Sequence, residues 1–547
     1  MVIAKETMLL KKIKFLVSVC VIFGVLSWGA FYSNTIWPEK QSPGIFQVIA
    51  QDGTDAVMLE DAQKTADLFN QVLQEDMNIT LNRDIKVFIC STKEQYASVL
   101  QKEFHMKEKN IDREAQVTGG MANADLRVVA LNGSSNNMRL SQNRVATLGH
   151  EMFHQVQAQL SHDKGDKALH WLTEGTADFI GARMAEKSGY LPMSQFPVER
   201  INALRTTSDP IDPGEVFHAD DDEWLKLMEK DESSYHIADL MVYYLLTAVP
   251  DNQKYELIAA YFKEVGQMGN GEKAFEKVFK RKTDAFLTDF EVWLSQQQSK
   301  PATLQIVRQD GISIAYYDDV QNSVMLARQF LKNQWGGDLY ASQKIILTNE
   351  AGYQMALQRE LGLSPAEAAE RGGKSLYYNY GHTVVLNMTS LSHKEQRVFV
   401  PAMILISYFQ EQTASQEQLS KLTWFSNGSI YVTAAYTVES AGLANLNMYK
   451  KTWFRLLAQT DARPSLMKLE TDDGWKSAVK TYGEGTVDEV AELAACYLID
   501  KYGLASIHTW TKQVQSTGDA EKAFAEVYGM TPTEFDVVFE SYLAKHL

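Results

Sequence analysis

Arg144-Val145-Ala146-Thr147-Leu148-Gly149-His150-Glu151-Met152-Phe153-His154-Gln155-Val156 is the stretch on which the reading of this chain turns. Val145, Leu148, Met152 and Val156 recur at intervals of three and four, the spacing of one helix face. Ahead of it the pattern is strand-like at residues 85–89 and 127–131, after an early helix over about 59–75. Beyond it, residues 171–186, 238–246 and 255–265 again keep helical spacing. A small sheet followed by a helical half is expected, an α+β arrangement.

The stretch also has a counterpart further along the chain. Arg144-Val145 matches Arg397-Val398, Gln157 matches Gln410, and His170-Trp171-Leu172-Thr173-Glu174-Gly175 matches Thr423-Trp424-Phe425-Ser426-Asn427-Gly428, all at one offset of 253 residues. The beginnings agree too, Gln47-Val48-Ile49-Ala50-Gln51-Asp52-Gly53 with Gln305-Ile306-Val307-Arg308-Gln309-Asp310-Gly311. Glu272-Lys273-Ala274-Phe275 returns as Glu521-Lys522-Ala523-Phe524, with Phe286 and Phe290 answered by Phe535 and Phe539. One unit is therefore written twice, over about 45–298 and 303–547, with Ser299-Lys300-Pro301 as the joint.

The bulk numbers fit that picture. With 547 residues, 45% hydrophobic and 22% charged, the chain can bury several cores. A formal charge of −16 with no basic stripe excludes a nucleic-acid partner, because affinity for a polyanion rests on Lys and Arg releasing its counterions. Three cysteines, Cys20, Cys90 and Cys496, exclude a disulfide framework, and Cys90 and Cys496 read as small core residues. At the N-terminus, Lys11, Lys12 and Lys14 precede an apolar run over residues 15–32. That run is expected to be a transmembrane signal-anchor with residues 1–14 in the cytoplasm and the remainder outside. Cleavage of the same segment would instead leave a secreted protein.

His150-Glu151-Met152-Phe153-His154 is an HExxH pattern, and residues four apart on a helix share a face, so both imidazoles can reach one metal ion. A solvated helix with two stray histidines is the bland alternative. Against it stands Trp171-Leu172-Thr173-Glu174-Gly175-Thr176-Ala177-Asp178, which puts Glu174 on a second helix 20 residues past His154. Two His and one Glu make up a catalytic zinc set with one place left for water. Asp178, one turn on, is placed to accept the outer N–H of a ligating His.

On these residues the chain resembles the gluzincin metallopeptidases, and more narrowly their peptidase MA-like group. The resemblance rests on HEMFH, on WLTEGTAD and on the closing segment over residues 272–294. It implies two tandem thermolysin-like zincin domains, the second degenerate. It implies Zn2+ held by His150, His154 and Glu174, and Glu151 as the base that activates water for attack on a peptide bond. It further implies an oxyanion donor from the helical half; Tyr235 and His236 are the candidates, with a capping or packing role as the alternative. In the second copy Met403, Ile404, Ser407 and Asn427 stand opposite His150, Glu151, His154 and Glu174. That half is expected to be a pseudopeptidase.

The implied protein is a membrane-anchored, extracytoplasmic zinc metallopeptidase acting on peptide or protein substrates. The rival is a non-catalytic peptide-binding or scaffold protein of two such domains, and Glu151 discriminates, since a structural zinc site has no use for an acid between its histidines. The strand over residues 127–131 is read either as a surface for an extended substrate or as an interior strand. Asp220-Asp221-Asp222-Glu223 is read as a solvated acidic loop, with calcium binding as its alternative, and His162 and His218 as surface residues.

Overall fold

The computed structural model describes residues 45–547 except 208, 232, 373 and 374. The expected membrane segment lies outside the described residues, and among these no helix is long and apolar enough to cross a membrane.

Strand β1 (Phe46–Ala50) pairs in parallel with β2 (Ile85–Cys90), β2 in parallel with β4 (Val128–Asn132), and β4 antiparallel with β3 (Gly120–Asn123), in the order β1-β2-β4-β3. Every residue of β4 is buried. Its near-continuous apolar run suits a central strand covered on both faces, and alternate side chains enter different cores. Val129 and Leu131 join the large core, while Val128 and Ala130 pack with Phe88 and Tyr96 on the other side. β3 is the terminal strand of the sheet.

The rest of the first half is helical. The elements that matter are α1 (Ala56–Glu75), α2 (Ser141–Ser161), α3 (His170–Lys187), α4 (Phe196–Thr206), α5 (Asp221–Lys230) and α6 (Ser233–Thr247). A second sheet, β5 (Leu304–Arg308), β6 (Gln343–Thr348), β7 (Tyr377–Tyr380) and β8 (Thr383–Asn387), repeats the order as β5-β6-β8-β7. It is followed by α7 (Lys394–Thr413), α8 (Thr423–Ser440), α9 (Leu446–Leu457) and α10 (Glu484–Tyr502).

The repetition reaches single atoms. Arg144 Nε donates to Asp61 Oδ2 at 2.8 Å and its Nη1 to the carbonyls of Met138 and Arg139. Arg397 does the same with Asp319 at 2.8 Å and the carbonyls of Leu391 and Ser392. Each guanidinium ties the first turn of its helix, α2 or α7, to the chain entering it. Its buried charge is tolerable because a carboxylate and two carbonyls meet it.

One expectation is corrected. The fold is not a tandem of α+β thermolysin-like domains: the structure is 69% helical, with two small mixed sheets. Each sheet has only four strands of four to six residues, and two further helices, Lys93–Lys102 and Glu108–Val117, separate β2 from β3. The halves touch through an apolar cluster that Leu140 joins with Ile346, Leu357 and Leu361, and through polar contacts. Asn202 and Ser342 exchange hydrogen bonds at 3.1 and 3.0 Å, and the Asn143 amide donates to the Tyr380 hydroxyl at 2.7 Å.

Candidate metal centre

Helices α2 and α3 approach closely because glycines face each other at their crossing. A Cβ on Gly181 would lie 2.4 Å from the Ala146 carbonyl oxygen, and one on Gly149 would lie 2.8 Å from Met184 Cγ. On the far side of α3, Gly175 admits α6, where a Cβ would lie 2.6 Å from the Ala238 carbonyl oxygen. These contacts bring His150 and His154 on α2 over Glu174 and Asp178 on α3.

The two Nε2 atoms are 3.0 Å apart, and Glu174 Oε2 stands 3.5 Å from His150 Nε2 and 3.8 Å from His154 Nε2. The outer nitrogens are both engaged. His150 Nδ1 is 2.7 Å from Asp178 Oδ1, and His154 Nδ1 is 2.8 Å from Gln157 Oε1. The orientation of the Gln157 amide is fixed by its Nε2, which donates to the Thr173 carbonyl at 2.8 Å and Thr176 Oγ1 at 3.0 Å. Both Nδ1 atoms therefore carry the proton, and both Nε2 lone pairs point into one space beside a carboxylate.

Such a space calls for a cation. Nitrogen and oxygen donors at about 2.1 Å from a tetrahedral zinc stand about 3.4 Å from one another, and the three donor separations here bracket that value. Glu151 also comes within 4.8 Å of both imidazoles, so two carboxylates are available to an ion. Their surroundings separate them. Burial raises Glu174, but the His154 and His150 rings outweigh it and lower the carboxyl to about 2, so that it stays anionic. Burial pushes Glu151 up to about 7, against the pull of His150. Its carboxylate rests on β3, where a Cβ on Gly120 would come within 2.9 Å of Glu151 Oε1.

Burial disfavours a charged His150, yet the charge and hydrogen bond of Asp178 prevail and raise it well above the ordinary imidazole range, so a metal ion must displace a proton to take its Nε2 lone pair. Burial lowers His154 against the pull of Glu174, and the neighbouring His150 adds to the lowering. Behind Asp178, Arg200 Nε donates to Asp239 Oδ2 at 2.8 Å. Burial and the Asp178 charge drive Asp239 up, against the pull of Arg200.

Tyr235 and His236 both sit on α6 near the centre. Burial raises the Tyr235 hydroxyl well above its usual value, helped by the charges of Glu174, Asp178 and Glu151, and its ring stands edge-on to Trp224 at 5.2 Å. His236 is held down to about 4 by burial and by Arg200. With Asp178 and Arg200 it lines a cleft of about 600 Å³, whose opposite wall comes from the second half, including Glu360, Tyr380 and His382.

Several residues here had no role in the sequence reading: Gln157, Arg200, Asp239, Gly120 and His170. His170 Nε2 lies 3.9 Å from Glu174 Oε1, and its Nδ1 is 2.8 Å from Asp221 Oδ1. The acidic run read as a solvated loop is the start of α5, with Asp220 and Glu223 forming a capping box. Of the two readings of residues 127–131, the substrate-facing one is corrected, since β4 is flanked on both sides and the free edge belongs to β3. Only Gln157 carried a signal, its recurrence as Gln410. His162 and His218 are exposed.

A family model described as a protein of unknown function, DUF1570, matches residues 144–267, which takes in most of α2 and all of α3 and α6. Among curated proteins, none matches the chain.

Proposed function

We propose that this chain is a zinc-dependent metallopeptidase whose ion is held by His150, His154 and Glu174. The observation that carries the reading is the convergence of two Nε2 lone pairs and one anionic carboxylate oxygen at 3.0, 3.5 and 3.8 Å, with a second carboxylate beside them. The likeness of HEMFH and WLTEGTAD to gluzincin motifs supports the same donor set. A divalent zinc bound there supplies Lewis acidity, which lowers the pKa of water to about 7 and polarises a carbonyl.

The protein's own groups do the rest. Glu151, buried and pushed up to about 7, takes a proton from the attacking water and returns it to the leaving amine. Asp178 and Gln157 hold the two rings in the tautomer that offers Nε2. The Tyr235 hydroxyl stays protonated and serves as the donor to the developing oxyanion, with His236 at the cleft wall. The terminal strand β3, against which Glu151 lies, gives an extended peptide an edge on which to add as a further strand.

The test uses the purified full-length chain, its Glu151→Gln variant and a mixed peptide library read by mass spectrometry. Cleavage by the parent and none by Glu151→Gln, at equal zinc content, supports the enzyme. Zinc binding without cleavage by either protein favours the non-catalytic binding protein instead.

A further inference from the structure

The helix crossing that frames the metal centre is repeated in the second half, where a Cβ on Gly428 of α8 would lie 2.3 Å from the Ala491 carbonyl oxygen of α10. Beside it is a cavity of about 460 Å³. Its lining falls at the positions of the first-half cleft, 253 residues on: Phe399 for Ala146, Tyr431 for Asp178, Tyr449 for Phe196. A ring has replaced the carboxylate of Asp178, another has replaced the methyl of Ala146, and the aromatic position of Phe196 is kept as Tyr449. The Phe399 centroid stands 5.8 Å from Tyr431 and 5.9 Å from Tyr449, and Tyr377 of β7 closes another side.

Acidic groups stand near these rings, and no Lys or Arg lines the cavity. Glu395 lies at its rim and accepts a hydrogen bond from the Tyr449 hydroxyl at 2.5 Å. On α10, Asp488 and Glu492 flank the Ala491 crossing, and Tyr431 on α8 lies one turn past Gly428. Glu492 is 5% exposed, and neither Glu492 nor Asp488 forms an ion pair with a described basic residue. Burial pushes Asp488 up to about 7 and Glu492 well above its ordinary value. A buried carboxylate with no cation to meet it is costly, and the electron-rich faces of aromatic rings attract a cation in their turn.

We propose that this cavity binds the basic side chain of an extended peptide, with a lysine ammonium seated among Phe399, Tyr431 and Tyr449 beside Glu395, and the acidic groups of α10 near Tyr431. The peptide form follows from β7, the terminal strand of the second sheet, which carries Tyr377 into the cavity and leaves an edge for a chain to pair with. The second half, having no metal donors at the matching positions, thus serves as a holder of basic segments.

The test is calorimetric titration of the full-length chain carrying Glu151→Gln, so that the result stands whether or not the first half cuts peptides. The probes are acetyl-Ala-Ala-Lys-Ala-Ala-amide and the same peptide with norleucine for lysine. The lysine peptide is expected to bind at least about tenfold more tightly, in keeping with a desolvated cation–aromatic contact. Tyr431→Leu and Glu395→Gln should each remove most of that preference, and Phe399→Leu serves if Tyr431→Leu fails to fold. Equal binding of the two peptides, or no binding, would overturn the proposal. So would a lysine preference that survives these substitutions, or tetramethylammonium binding as tightly as the peptide.

Discussion

His150 Nδ1 stands 2.7 Å from Asp178 Oδ1, across two helices whose crossing is set by Gly149 and Gly181. The bond orients the ring so that Nε2 meets its counterpart from His154. Asp178→Asn keeps the shape but removes the charge that makes Nδ1 the protonated nitrogen. Zinc affinity is expected to fall about 10- to 100-fold, as for other outer-shell carboxylates, measured by competition with a chromogenic chelator. An unchanged affinity would remove Asp178 from the centre.

Gln157 and Gln410 occupy matching places but carry different duties. Gln157 orients His154 and also bonds Thr173 and Thr176, whereas Gln410 bonds Ser429 at 3.0 Å in a half without the histidines. Replacement of either by Leu should cost about 1–3 kcal/mol through orphaned buried groups, read by denaturant unfolding. Only Gln157→Leu should also weaken zinc.

The two helix crossings give a matched pair of tests. A methyl at Gly175 or Gly428 meets a carbonyl oxygen at 2.6 or 2.3 Å, so each Gly→Ala must part its helices. Each is expected to destabilise by about 1–3 kcal/mol, the ordinary range for overpacking. Gly175→Ala should in addition lose zinc, because Glu174 and Asp178 move with α3. Zinc retained in full by Gly175→Ala would separate the crossing from the centre.

These pairs also show what the sequence made legible. The 253-residue offset exposed the repeat through Trp171 and Trp424, both fully buried and stacked on Phe286 and Phe535 in turn. The HExxH spacing and Glu174 were readable because helix geometry is local and fixed. The helical excess was not, because the two helices between β2 and β3 are only ten residues each and bury little: Tyr96, Val99 and Leu100 in the first, which the Thr92–Gln95 capping box opens, and Ile111 and Ala115 in the second, which has no side-chain cap. Arg200 and Asp239 were hidden for another reason. Each reaches the centre only through tertiary contacts from a different helix, and a lone Arg or Asp has no local signature.

Acid should destabilise the fold through two half-buried histidines. His236 and His508 are held down to about 4, chiefly by burial, whereas an unfolded chain protonates them near 6.5. Between those values the unfolded state binds more protons, so stability is full above about 6.5 and falls as pH drops toward 4. His236→Gln should flatten the unfolding free energy across that window, followed by urea titration at several pH values. An undiminished slope would contradict the assignment.

The centre itself is tested most directly by X-ray absorption at the zinc edge on the full-length protein and on His154→Ala. One zinc per chain is expected, with two imidazole nitrogens and carboxylate oxygen in its coordination sphere. His154→Ala should lose one of those nitrogens together with most of the metal. A chain that takes up no zinc, or whose zinc spectrum is the same in His154→Ala, would contradict the proposed site.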